Sequence, residues 1–141
     1  MNNHMNNLEQ FYDAVGANAD EVIGRLGGDP SLVMRFLARF QDDDSFNTLC
    51  TALDDGDAET AFRAAHTIKG VCANLGLQTL FSKASEMTEL LRAGKVEDAK
   101  DALPALEAEY GRVCALIVGL RGEKSSALGK LEFSDRWGMY E

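Results

Sequence analysis

The chain holds two histidines, His4 and His66. His66 stands in the run FRAAHTIKGVCANLG, residues 62–76, with Lys69 three positions on and Gly70 four positions on. On a helix, residues three and four apart share a face. An imidazole, an ammonium and a residue without a side chain would then form one strip. Near neutral pH an imidazole serves as nucleophile, base or metal ligand. A metal site does not fit, because no second ligand lies at i+3 or i+4 from His66 and His4 lies in a patternless end. A general base is left without a visible nucleophile or pocket. An anion carried by the ring fits better. A phosphoryl group on a ring nitrogen would find Lys69 as counter-charge. A hydrogen bond to such a charged group contributes roughly 1.5–3 kcal/mol when well ordered, and less where water screens it.

A helical wheel at about 100° per residue tests the direction of the ring. Ala61, Ala65, Ile68 and Cys72 fall on an arc more than a quarter turn from His66. Glu59, Phe62, Arg63, Lys69, Gly70 and Ala73 fall on the histidine's own side. The imidazole is expected to face solvent rather than the core. Glycine inside a helix costs roughly 1 kcal/mol relative to alanine. A steric reason is expected for it here: a side chain at Gly70 would crowd the ring. Ala73 continues the low strip, Phe62 is a docking or a core residue, and Arg63 and Glu59 read as rim charges. An ordinary surface histidine stays open on geometry alone.

The elements that must hold this strip follow from the pattern of the whole chain. It has 141 residues, 45% of them hydrophobic, which suits one globular domain with its own core. Two prolines, sparse Val and Ile, and no closely spaced turn clusters argue for an all-helical fold. Leu8, Phe11, Tyr12 and Val15 mark a short helix; Val22, Ile23 and Leu26 mark another, ended by Gly27 and Gly28. Asp29 and Pro30 read as an N-cap and first helical residue. From there Val33, Phe36, Phe40, Phe46, Cys50 and Leu53 keep one helical period to about Leu53; the run Asp42, Asp43 and Asp44 could weaken that helix midway, but it reads first as a solvated face. Asp57 caps the helix of His66, and Gly76 ends it in a left-handed turn. Leu77, Leu80, Ala84, Met87 and Leu91 form the next seam, ended by Gly94. Val96, Ala99, Leu103, Leu106, Tyr110, Val113, Ile117 and Leu120 form the last, with a kink or short break expected near Asp101–Pro104. Short connections make the simplest arrangement an antiparallel, up-down four-helix bundle with one or two short N-terminal helices. Its domain is expected over residues 8–121, with the four-helix core from about residue 30. Residues 1–7 read as a flexible N-terminus and 122–141 as a C-terminal tail, flexible or added to the native chain.

Charge and cysteines narrow the setting. A formal net charge of −9 opposes nucleic acid and anionic membrane surfaces. No apolar run reaches the length of a bilayer span, and MNNHMNNLEQ has neither the basic nor the apolar region of a signal peptide. Cys50, Cys72 and Cys114 are odd in number and sit among apolar residues. They read as buried thiols of a reducing cytoplasm.

The motif AHTIKG, with FRAAH before it and LGL after, resembles the H-x-[LI]-K-G signature of the histidine-containing phosphotransfer (HPt) domain family. The resemblance runs from about Gly27 to Leu120. It implies that His66 is phosphorylated, that Lys69 helps hold the phosphoryl group and that Gly70 admits it. It further implies a carrier without its own kinase site, with no cofactor of its own. Its partners would be the receiver domains of response regulators, which bring an aspartate and magnesium, and sensor or hybrid histidine kinases. Phe62, Arg63 and Ala73 would lie under a docked partner, and an exposed face of this kind favours a monomer. In the family a glutamine or glutamate on the facing helix often bonds the histidine. Thr88 holds that position here, with Glu89 and Ser85 as neighbours. Two other readings stay open: a phosphotransfer domain of a larger chemotaxis or hybrid kinase, and a helical interaction module whose histidine is never phosphorylated.

Overall fold

The computed structural model describes residues 3–122, with side chains from Asn7 onward. Among the described residues seven helices follow one another with short connections. They are α1 (Asn3–Ala14), α2 (Ala19–Arg25), α3 (Pro30–Asp42), α4 (Ser45–Asp55), α5 (Ala58–Leu75), α6 (Gln78–Arg92) and α7 (Val96–Leu120). No strand occurs among the described residues, so the all-helical class holds. α1 begins at Asn3, ahead of the boundary expected at residue 8. Residues 123–141 of the expected C-terminal tail lie outside the described residues.

Apolar periodicity builds the core. Ala61, Ala64, Ala65, Ile68, Cys72 and Leu75 of α5 are buried against the seams of α4 and α6. Leu80, Ala84, Met87 and Leu91 carry α6 between α5 and α7, and α7 returns to α4. There Tyr110 of α7 stacks on Phe46 of α4, ring centroids 4.3 Å apart, with Phe40 of α3 tilted against the same ring. α4 to α7 thus pack in chain order and close on themselves.

The N-terminal helices hold the α5–α6 turn. Gly76 ends α5 at φ 70°, a left-handed conformation that costs glycine nothing. A Cβ there would run into Val22 and touch Tyr12, so the turn lies directly on α1 and α2. The orphan carbonyls at the end of α1 are satisfied from elsewhere. The Thr79 amide donates to the Val15 carbonyl at 3.1 Å, and Arg112 Nη2 to the Ala14 carbonyl at 3.0 Å. Arg112 also pairs with Glu109 at 2.8 Å.

Two expectations need correction. The single helix expected from Pro30 to about Leu53 is two helices. Asp43 leaves the helix in an extended conformation (ψ 140°), and its carboxylate accepts from the Ser45 amide at 2.6 Å. Asp44 then starts α4, its carboxylate accepting from Asn47 Nδ2. Aspartate competes for backbone amides in this way and so favours helix ends. The acidic run is solvent-exposed, as expected, but it is also the break. The second correction concerns the short break expected near Pro104: α7 is helical without one from Val96 to Leu120. Pro104 lies on the exposed side, where water can serve a carbonyl that lacks its amide partner. Ala99 and Leu106 are buried on either side of it.

Candidate functional site

α5 is fixed at both ends. Asp57 accepts from the Thr60 amide at 3.1 Å as the N-cap. That bond, with the Thr60 side-chain interaction first, holds the Asp57 carboxyl below its usual range. At the other end Arg25 of α2 donates to the Ala73 and Asn74 carbonyls, each at 3.3 Å. A guanidinium there satisfies orphan acceptors and opposes the negative end of the helix dipole.

Between these anchors α5 turns His66 outward. The imidazole is exposed, as are Arg63, Gly70 and Ala73; Phe62 and Lys69 are half-buried. The expected strip is therefore one continuous face. Small residues beneath it (Ala61, Ala64, Ala65, Cys72) let α4 and α6 approach without covering the ring. Lys69 makes no ion pair among the described residues, so its charge is uncommitted one turn from His66. Arg63 is already paired with Glu59 at 2.6 Å, both largely exposed.

The structure corrects the reason for Gly70. A Cβ added there meets no atom within 4 Å, so the ring is not crowded by the protein itself. The missing side chain leaves open ground beside the imidazole.

The facing-helix contact expected of Thr88 is also corrected. Thr88 is 0% exposed, and its hydroxyl donates to the Ala84 carbonyl at 2.7 Å, inside its own helix. It lies in the core, not on the histidine face. Ser85 keeps its hydroxyl buried and without a partner, and Glu89 is engaged by Arg92 at 3.2 Å. None of the three bonds the imidazole.

The ring that does meet His66 comes from its own helix. Phe62 lies one turn earlier, its centroid 5.9 Å from that of the imidazole and tilted by 45°. Arg92, from the last turn of α6, stands over the other ring contact: its Cζ is 5.1 Å from the Phe62 centroid, within cation–π range. The sequence reading missed Arg92 and Arg25. Both reach α5 across the fold, and no local spacing announces them.

Among the described residues, no group of three His, Cys, Asp or Glu side chains converges to hold a metal ion, and no helix is long and apolar enough to cross a membrane. No curated protein and no solved structure was found to match the chain. A family model does match. The Hpt domain model covers residues 32–116, which takes in most of α3, all of α4, α5 and α6, and most of α7, with His66 near the middle. With an exposed imidazole at the centre of that span, the chain belongs to the Hpt domain family, the histidine phosphotransfer domains of two-component signalling.

Proposed function

We propose that the chain is a phosphorelay intermediate that carries the phosphoryl group on His66. The observation that carries this reading is the exposed imidazole on α5, with an uncommitted ammonium one turn away and open ground at Gly70. A receiver domain with a phosphorylated aspartate docks over the face formed by Phe62, Arg63, His66, Gly70 and Ala73. The lone pair of a neutral ring nitrogen attacks phosphorus in line as the bond to the aspartyl oxygen breaks. The carboxylate leaves with that electron pair, and the phosphoryl group stays on nitrogen. Transfer to a second receiver is the reverse of this step.

Positioning and charge do the work in such a transfer. Lys69 balances charge on the equatorial oxygens as the group moves. Gly70 lets the partner's loops come close, and the Phe62 ring limits how far the imidazole turns. Magnesium is held by the receiver, so the chain needs no metal of its own. Receivers and histidine kinases are the partners; the chain acts as a monomeric carrier with no kinase site. Its three buried cysteines suit a reducing cytoplasm.

The test is incubation with a phosphorylated receiver, followed by separation and an acid-lability measurement on the chain. Acid-labile, base-stable phosphate is expected on the native chain and none on His66→Gln. Label that persists on His66→Gln would refute the assignment. Lys69→Ala is expected to keep its helicity and accept phosphate about tenfold more slowly or worse, from the loss of a charge-assisted contact of roughly 1.5–3 kcal/mol.

A further inference from the structure

The backbone of His66 is fixed by α5, but its ring has to be fixed by something else. No hydrogen bond among the described residues reaches the imidazole, and the group that meets it is Phe62. In a helix the χ1 well at about +60° is closed to most side chains, which leaves two staggered wells and a broad χ2. Each combination aims the ring nitrogens in a different direction. A side chain that leans back toward the helix N-terminus lies over the residue at i−4. For His66 that residue is Phe62, its centroid 5.9 Å away at a 45° tilt. The contact with Phe62 therefore belongs to one orientation of the imidazole.

Phe62 is itself only half-buried, so its ring needs a second support. That support comes from α6. Arg92, the last residue of the helix, sets its Cζ 5.1 Å from the Phe62 centroid. The guanidinium is aimed from its own helix: Nε donates to the two carboxylate oxygens of Glu89, at 3.2 and 3.4 Å. The backbone beneath it is equally determined. Gly94 takes φ 75° just past the helix end, and the Lys95 amide donates to the Leu90 carbonyl at 2.9 Å, which fixes where α6 stops. Leu91, next to Arg92, is buried in the core. Arg63, the neighbour of Phe62 in sequence, is turned to Glu59 instead. We propose that Arg92 is a positioning residue for phosphoryl transfer: it holds the Phe62 ring, and Phe62 holds the imidazole in the orientation that presents its reacting nitrogen.

The size of the effect follows from exposure. Arg92 and Glu89 are both more than half exposed. The cation–π contact therefore has the strength of an exposed one and weights the held position of the Phe62 ring about two- to fivefold over its alternatives. Only molecules with the imidazole correctly aimed react with a docked receiver, so the apparent rate scales with their fraction. Arg92 thus acts on the reaction without reaching the phosphoryl group. The consequence for transfer rests on the phosphocarrier reading of His66; the consequence for ring orientation does not.

The experiment uses the full chain, first without phosphate. NMR reads the His66 χ1 populations from three-bond couplings, and the Phe62–His66 ring contacts from NOEs, in native, Arg92→Gln and Arg92→Lys chains. Far-UV circular dichroism checks helicity. Arg92→Gln is expected to spread His66 over two χ1 wells and to weaken the ring–ring NOEs at native helicity. Arg92→Lys keeps a cation beside the ring and is expected to stay close to native. With a phosphorylated receiver, Arg92→Gln is expected to accept phosphate about two- to fivefold more slowly. The same substitution in a Phe62→Leu chain is expected to add nothing further, because the ring through which it acts is gone. Native χ1 populations and NOEs in Arg92→Gln would overturn the proposal. So would an equal further slowing in the Phe62→Leu background, which would put Arg92 on the phosphoryl group or on the partner. If Phe62→Leu loses helicity, the NMR comparison of Arg92→Gln with native decides alone. A His66 that takes no phosphate in any chain refutes the carrier reading and leaves the orientation measurements to judge Arg92.

Discussion

The same substitution at two glycines six positions apart should move stability in opposite directions. Gly70 lies inside α5, exposed, and a new Cβ there meets nothing within 4 Å. Alanine loses less backbone entropy than glycine on folding, so Gly70→Ala is expected to gain about 0.5–1 kcal/mol. Gly76 sits at φ 70°, where a Cβ would strike Val22 and press on Tyr12. The left-handed conformation costs an alanine roughly 1–2 kcal/mol, and forcing a methyl into packed side chains adds about 1–3 kcal/mol. Gly76→Ala is therefore expected to lose about 2–5 kcal/mol. Urea unfolding followed by far-UV circular dichroism reads both. With a slope of about 1–3 kcal/mol per molar urea for a chain of this size, the Gly70→Ala midpoint rises measurably and the Gly76→Ala midpoint falls well below native. The phosphoryl acceptance assay on the same samples should show Gly70→Ala slower than native despite its higher stability. A Gly70→Ala chain that is less stable than native would refute the reasoning, since the glycine would then serve the fold and not the surface beside His66.

Further outcomes follow from individual contacts. Thr88→Val should cost about 0.5–1.5 kcal/mol through the lost hydroxyl bond, and leave phosphoryl acceptance unchanged in the transfer assay; a slower transfer at native helicity would return Thr88 to the site. The Arg112 hydrogen bond, with help from Thr79, holds the Glu109 carboxyl below its usual range. Because the folded value is the lower one, this stabilisation is complete above the unfolded value of about 4.3 and is lost as pH falls through the folded value. Acid titration of urea midpoints should therefore show a smaller loss below about pH 4.3 in Glu109→Gln than in the native chain. Burial pushes the Cys72 thiol up to about 12, with Cys114 adding to it, and burial with Glu107 does the same for Cys50. Thiol reagents at neutral pH should label these cysteines slowly in the native chain and quickly in denaturant.

How much of this was legible in the sequence depended on the range of the interaction. The seams of α5, α6 and α7 are period-3.6 patterns within one helix, and they could be read directly, as could the caps at Asp57 and Gly76. The direction of His66 was equally local, since the wheel needs only its own helix. The break at Asp43 and Asp44 was not, because an aspartate run reads alike as a solvated face and as a helix end. The choice turned on one carboxylate finding the Ser45 amide. Thr88 failed for a different reason. Which residue of α6 faces His66 depends on the rotation of one helix against its neighbour, and neither helix encodes that alone. The space around Gly70 also needed atoms, since spacing along the chain does not give the distance from a side chain there to the ring. Arg25 and Arg92 act on α5 from other helices and had no local signal at all.

The division of labour along α5 has a mechanistic consequence. The residues that fix the helix (Asp57, Gly76, and Arg25 from outside) lie at its ends, and those that pack it lie on its inner face. His66, Lys69 and Gly70 belong to neither group. A site on a rigid helix keeps its geometry without help from the reacting side chains. Substitutions within the strip should thus change transfer and spare the fold, while loss of a cap should disturb both together. A coupling between site and scaffold runs through Phe62, which touches His66 on one side and Arg92 of α6 on the other. Motion of the α6 terminus therefore has a direct route to the orientation of the imidazole, and the route is short: one aromatic ring.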